Sequence, residues 1–379
     1  MVVSLVAPAQ SLRGIVLDST TGKPLPGASV FIASSTIGTT TDARGTFGLG
    51  HIPFARYELV VSYVGFETKS FQQSSADTDS LTVQMQPVSD ELAAVLVTNY
   101  EKNGWEHWGF TFRNSFLGTA PIGDKCVIKN PKDLRFSYSK NERILRVVAV
   151  NPLIIVNKRL GYQIRYDLVE YNNNFNDHTL VSAGYAYFKP LSGNHRQQAQ
   201  WQRNRKATFE GSLMQFMRAV YDHNVEKSGF QVRKLIRKPN LEKERVKMMR
   251  ESLAGNFQKL PADSLAYYLK ILAENDAIDV LYSGTIPVEK FCFGPAGGVS
   301  QLLFDDYLYI TYPAKKTAPE YQALAGYDSC MTAVLKMAKH EPVAITASGS
   351  FFNPLNLIVG DYWAWSEKIG TMLPFDYRP

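Results

Sequence analysis

Between residues 14 and 85 apolar positions alternate with polar or small ones in short runs, and each run closes on Gly, Pro, Asp or Ser. A period of two residues predicts short antiparallel strands: 14–17, 28–32, one through Phe47 and Leu49, a long one over 57–64 and a closing one over 81–85. Pro24 and Pro26 fix φ in the first turn and Gly27 permits the reversal. Gly45 suits the positive φ of the next hairpin, and Pro87 ends the unit.

The same period resumes in a second stretch. Residues 124–130, 133–139, 143–150, 163–171 and 180–188 read as strands separated by Asn-rich and Asn-Pro turns, with 153–162 as a connector. The period then changes. Phe209, Leu213, Phe216, Met217 and Val220 fall at helical spacing within 201–226, and further helices are predicted over 241–253 and 262–272. Strands return at 279–282, 299–312 and 343–348, and 360–377 reads as a short amphipathic helix ended by Pro374. The expected fold is mainly β, of α+β type. A β-sandwich (12–87) leads through a linker (88–104) into a β-rich domain (105–379) with a helical insertion at about 201–275.

Composition narrows the class. The 379 residues are 45% hydrophobic and 20% charged, ordinary for two or three globular domains. The 20 Tyr and 21 Phe favour β structure. A net charge of +6, interspersed with acids, excludes a nucleic-acid footprint as the organising feature, and no apolar run reaches the 18 or so residues of a membrane-spanning helix. Residues 1–11 have the apolar core and small residues of a signal-peptide end, so an exported protein is expected. Cys126, Cys292 and Cys330 are far apart; the first two lie in apolar strand-like runs and are expected to be buried as small hydrophobes.

Gly14-Ile-Val16-Leu-Asp18, Thr21-Gly22-Lys-Pro24-Leu-Pro26-Gly27-Ala-Ser-Val30, Thr41-Asp42-Ala-Arg-Gly45-Thr-Phe47 and Tyr57-Glu-Leu-Val-Val-Ser-Tyr63-Val-Gly65-Phe66 together resemble the carboxypeptidase-regulatory-like domain of Bacteroidetes cell-envelope proteins. The resemblance implies a seven-stranded, transthyretin-like sandwich that is itself non-catalytic. Residues 90–98 are similar to the linker after this domain in TonB-dependent receptors, but residues 99–379 lack the long series of alternating strands of a barrel. Further landmarks at 157–166, Trp201 to Arg205, Gly211-Ser212, 216–219 and the C-terminal segment resemble a group of envelope proteins known by that first domain alone. They place Arg203 and Arg205 among the candidate binding residues.

Candidate chemistry is sparse. His223 and Glu226 form an H-x-x-E pair, with His340 as a third possible zinc ligand. With 6 His and 35 acids in the chain, such a pair arises by composition in about every second chain of this kind. Gly211-Ser212 and Gly349-Ser350 lack a G-x-S-x-G frame. The glycine-rich 294–300 lacks the Lys-Ser/Thr of a phosphate loop and reads as a hairpin turn. Trp105, His107 and Trp108, with Phe110 and Phe112, form an aromatic cluster: a platform for sugars or peptides, or a seam between domains. Tyr362, Trp363 and Trp365 are expected to cover a core. The basic stretch 233–250 reads as a solvated helix face with its approach loop, or as contact with an acidic surface.

The expectation is a non-enzymatic binding or structural module of the cell envelope, periplasmic or outer-membrane associated, without cofactor, whose partner is an envelope protein or glycan. The alternatives are a metal-dependent peptidase or other hydrolase, and an accessory protein of a TonB-dependent uptake system. Ligand and oligomeric state are left open.

Overall fold

The computed structural model describes residues 10–74, 80–88, 100–123, 125–253, 255–294, 299–325 and 330–379. Most of the expected signal segment, most of the linker and the middle of the glycine-rich turn lie outside them.

The first part contains β1 (Gln10–Asp18), β2 (Ser29–Ile32), β3 (Gly38–Thr40), β4 (Thr46–Ile52), β5 (Arg56–Ser62), β6 (Lys69–Ser74) and β7 (Leu81–Met85). They form two sheets, ordered β4-β1-β7 and β3-β2-β5-β6, with β1 and β7 parallel. Val16, Val30, Phe47, Leu59, Val61 and Val83 meet in the core between them. The second sheet is buried on both faces: Phe31 and Val60 are fully buried but point away from that core. The uninterrupted Val30-Phe-Ile32 and Leu59-Val-Val61 are the sequence mark of a doubly covered sheet.

What covers that outer face is the second sheet system. It comprises helix α1 (Gly104–Phe116) and strands β8 (Cys126–Ile128), β9 (Leu134–Ser139), β10 (Ile144–Ala149), β11 (Leu153–Asn157), β12 (Tyr162–Asn174) and β13 (Thr179–Pro190). The expected connector at 153–162 is β11 and its turn, paired between β8 and β12. Phe31 stacks on Tyr187 of β13 at 5.3 Å, and the Phe188 amide donates to Ser35 at 2.9 Å. Arg165 of β12 donates to Ser62 (2.8 Å), and Ser62 donates to the buried Asp167 (2.9 Å). α1 lays Phe112 and Phe116 on the other face of this sheet.

A third core comes next. α2 (His195–Phe209) and α3 (Leu213–Tyr221) replace the single helix expected over 201–226. They part at Gly211, whose φ of +71° leaves the helical region, and Ser212 caps α3 by accepting from the Gln215 amide. Beyond them lie β14 (Gln231–Pro239), α4 (Leu241–Ser252), α5 (Ala262–Ala273), β15 (Ala277–Thr285), β16 (Cys292–Phe293), β17 (Ser300–Leu302), β18 (Tyr307–Lys316), α6 (Pro319–Ala325), β19 (Cys330–Met337), β20 (Val343–Ile345), β21 (Phe351–Phe352), β22 (Leu357–Gly360) and α7 (Asp361–Ser366). The five-stranded sheet β15-β14-β18-β19-β22 and the small sheet β16-β17-β20-β21 enclose Phe216, Val220, Phe230, Leu308, Ile310 and Trp363. Cys126 and Cys292 are buried and unbridged. No helix among the described residues is long and apolar enough to cross a membrane.

The C-terminal segment ties the three cores together. The predicted helix stops at Ser366, well before Pro374. Beyond it, Leu373 enters the second core and Phe375 packs against the first, while Trp363 of the preceding helix is fully buried in the third. The Phe375 amide donates to Ser34, the Thr36 amide to Asp376 at 2.9 Å, and Asn157 Nδ2 to Gly370 at 2.7 Å. Arg218 of α3 donates to the carbonyls of Ser348, Tyr377 and Phe375 at 2.9–3.1 Å.

Candidate interaction surface

Trp105, His107 and Trp108 sit on α1; the two indoles turn toward the second sheet, whereas His107 is exposed. Trp105 lies 6.2 Å from Phe136, and Trp108 lies 4.7 Å from Tyr138 and 6.2 Å from Phe175. The Trp108 indole N–H is shared between both Glu101 oxygens at 3.1 Å, and His107 Nδ1 lies 3.1 Å from one of them. These ring partners all belong to the second core, so Trp105 and Trp108, with Phe112, build that core and not a seam with the sandwich, while Phe110 stays exposed. Arg205 is equally committed. It donates to the carbonyls of Leu160 (2.7 Å) and Gly161 (3.2 Å) and lies 4.0 Å above the Tyr162 ring. Trp201 donates to Lys158 at 2.9 Å, so α2 clamps the β11–β12 turn. Arg203 is exposed, bonded to Gln200.

His223 Nδ1 lies 3.8 Å from Glu289 and His340 Nδ1 lies 3.2 Å from Asp305, while Glu226 is exposed. His223, Glu226 and His340 do not converge, and no group of three or more possible metal ligands occurs among the described residues. Ser350 shares a hydroxyl cluster with Thr346 (2.7 Å) and Ser348 (3.1 Å).

One titratable group stands out. Glu367 borders a small pocket of about 110 Å³ with Leu213, Met214, Phe351 and Met372. Burial raises its pKa to about 7, against the Leu213 amide that donates to it at 3.2 Å and the nearby Lys315. The same carboxylate stands at the first turn of α3, where the helix dipole favours a negative charge, so it also acts as a cap.

The basic stretch divides between two elements. Arg233, Lys234, Arg237 and Lys238 lie in β14, not in an approach loop. Acids from neighbouring elements answer most of the charge. Asp279 takes Arg237 through two 2.7 Å bonds, Asp306 takes Lys234 at 2.9 Å, and Asp276 takes Lys243 and Lys247 at 3.0 and 2.6 Å. Arg233, which lies over the Tyr309 ring, Lys238 and Arg250 have no acidic partner among the described residues.

These charges flank an arm that belongs to none of the three cores. α4 buries only Val246 and α5 only Ile271, and β15 buries nothing. Among the described residues, eight of the 17 exposed large hydrophobic ones lie here, including Leu241 (71%), Met248 (64%), Leu269 (54%) and Ile278 (52%). β15 pairs with β14 and is otherwise an open edge among the described residues. Ile278, Val280 and Tyr282 share one side of it and Leu281 lies on the other, in the two-residue alternation of a strand. A nine-residue apolar edge whose one charge is already paired to Arg237 is a template for a further strand. The sequence signal was present in Ile278 to Tyr282, but no pattern in it reveals that β14 is the strand's single neighbour among the described residues.

A comparison of the sequence with known families matches residues 12–97 to the CarboxypepD_reg-like domain. The N-terminal sandwich is a carboxypeptidase-regulatory-like domain. A domain of this type points to a structural or binding module. No curated protein matches the chain. Among solved structures, a type II cohesin–X-dockerin complex from Acetivibrio cellulolyticus is 19% identical, over 21% of this chain and 58% of that one, with a TM-score of 0.18. A 9R-lipoxygenase from Cyanothece PCC8801 is 12% identical over 59% and 50%, at 0.17. A protein of unknown function from Bacteroides fragilis NCTC 9343 is 12% identical over 90% and 91%, at 0.16. Scores this low bear on neither fold nor function.

Proposed function

We propose that the chain is a non-enzymatic binding module of the bacterial cell envelope, exported to the periplasm or held at the outer membrane. In this reading residues 12–87 and the C-terminal segment stiffen a scaffold that presents the α4–α5–β15 arm to another protein. The observation that carries it is the open β15 edge with its exposed Ile278, Val280 and Tyr282. The occupant is an extended segment of a partner protein that adds to β15 as a strand, with backbone bonds supplying affinity and alternate side chains specificity. Lys238 lies opposite Ile278 in the register and is free of an acid, which favours an acidic segment. The envelope location is supported by the kind of domain that opens the chain.

A photo-crosslinking residue at position 282 tests this in cells, with position 64 of the sandwich, also exposed, as control. A single crosslinked protein from position 282, lost when Val280→Lys is added, supports the reading. Crosslinks from position 64 alone, or survival of the product in Val280→Lys, would sink it. A metal-dependent hydrolysis lost in His223→Ala would replace it with the peptidase alternative.

A further inference from the structure

Helix α2 stands apart from the arm and presents a charged face of its own. Residues 178–209, which end with α2, hold five cations and no acid. The helical period divides α2 into two sides. Trp201, Arg205 and Phe209 fall on one, where the two rings are buried and Arg205 is committed to the Leu160 and Gly161 carbonyls. Arg196, Arg203 and Lys206 fall on the other, all exposed, with Ala199, Gln200 and Ala207 as their neighbours. These three cations span about 15 Å of helix.

The β11–β12 turn adds two more. Trp201, Asn204 and Arg205 hold this turn against α2 by donating to the carbonyls of Lys158 (2.9 Å), Arg159 (2.7 Å) and Leu160 (2.7 Å). Lys158 and Arg159 are themselves exposed beside the helix. None of the five has an acidic partner among the described residues, and Arg203 meets the neutral Gln200 side chain at 2.8 Å. A helix face that is only solvated intersperses both signs, because like charges a turn apart repel. α2 has no such relief. The Asn194–Gln197 capping box (3.0 and 2.9 Å) and the clamp on the turn also fix where its cations stand.

The complement of this face follows from its shape and composition. The outward flank of a helix is convex, so it matches a plane of negative charge and not an enclosed anion. Five Lys and Arg lie within the cluster of about four to eight by which a surface segment attracts anionic lipid. No large hydrophobic residue of 189–209 is exposed, so the face has nothing to insert into hydrocarbon and headgroup contact is what remains.

We infer that the exposed side of α2, with the β11–β12 turn, is a docking surface for the phosphate headgroups of an anionic membrane. The contact is peripheral and electrostatic, so salt screens it. It uses no residue of the α4–α5–β15 arm, and it stands or falls separately from strand binding there.

Cosedimentation of the full chain with lipid vesicles tests it. The chain should bind vesicles of phosphatidylcholine containing one-third phosphatidylglycerol and ignore phosphatidylcholine alone. Binding should fall at least about tenfold as salt rises from about 0.05 to 0.5 M and the screening length shrinks. Arg196→Gln combined with Arg203→Gln should weaken it by about tenfold or more. Both positions are exposed and Gln keeps the helix propensity, which circular dichroism of the variant checks. Lys140→Gln combined with Arg143→Gln removes the same charge from exposed positions beside Ile144, which pairs with Asn174 at the far end of β12, and should leave binding unchanged. Equal binding to both kinds of vesicle, no binding at the lower salt, or equal losses in the two double variants would overturn the inference. So would tighter capture by soluble polygalacturonate than by the anionic vesicles, which would make the face a site for an acidic glycan.

Discussion

Arg218 is the most informative single perturbation of the scaffold. Its guanidinium donates to three main-chain carbonyls, those of Ser348, Phe375 and Tyr377, and lies 5.2 Å from the Phe209 ring. Burial pulls its pKa down to about 10, which leaves it charged at neutral pH. Hydrogen bonds from a charged donor contribute roughly 1.5–3 kcal/mol each, so the three set an upper bound of about 5–9 kcal/mol. Water reaches the freed carbonyls once the C-terminal segment frays, which reduces the net loss. Breaking such a buried set should therefore cost about 3–5 kcal/mol in Arg218→Met. Arg218→Lys keeps the charge but replaces the planar fork with one ammonium, and should recover part of the loss. Urea denaturation gives the total and amide hydrogen exchange locates it. Faster exchange is expected at Phe375, whose amide donates to Ser34, and at Thr36, whose amide donates to Asp376. A cost below about 1 kcal/mol, the scale of an exposed contact, would refute the role of the C-terminal segment as a tie between the cores. Exchange that quickens evenly through all three cores would do the same.

Three other outcomes rest on named contacts. Glu367→Gln retains an acceptor for the Leu213 amide but removes the charge. Because burial raises the native pKa to about 7 from 4.5, this group's stability is complete below about pH 4.5 and is lost as pH rises through 7. The variant should match the wild type near pH 4.5 and exceed it above pH 8 by at most about 3 kcal/mol; a pH-independent difference would contradict the burial. Gly161→Ala combines a φ of +72° with a Cβ 2.2 Å from the Trp201 ring and should destabilise by about 2–4 kcal/mol in thermal melts. Asp167→Ala leaves Arg165 and Ser62 without their buried acceptor and should cost about 3 kcal/mol. Exchange at Ser34 and Phe188, whose amides bond across the same boundary, should quicken with it.

How much was legible in the chain depends on the reach of each signal. The sandwich strands were visible because turn residues such as Gly27 and Gly45 act locally, and their φ values of +80° and +71° bear out the turns. β6 was missed: Lys69-Ser-Phe-Gln-Gln-Ser is too polar to read as a strand and is held by β5. β11 passed for a connector because it is short and gains its identity from β8 and β12. β19 and β22, likewise, were invisible without the partners that pair with them. The aromatic cluster at 105–112 was recognised, but the helix carrying it was not, since its ring partners Phe136, Tyr138 and Phe175 lie far along the chain.

The central claim is that β15 is an open edge that receives a foreign strand. Once crosslinking through position 282 has defined the partner segment, its synthetic peptide can be added to the chain and amide exchange monitored across 277–285. The account predicts that amides of β15 facing away from β14 become protected in the complex while the three cores are unchanged. Protection elsewhere on the molecule, or none on β15, would contradict it.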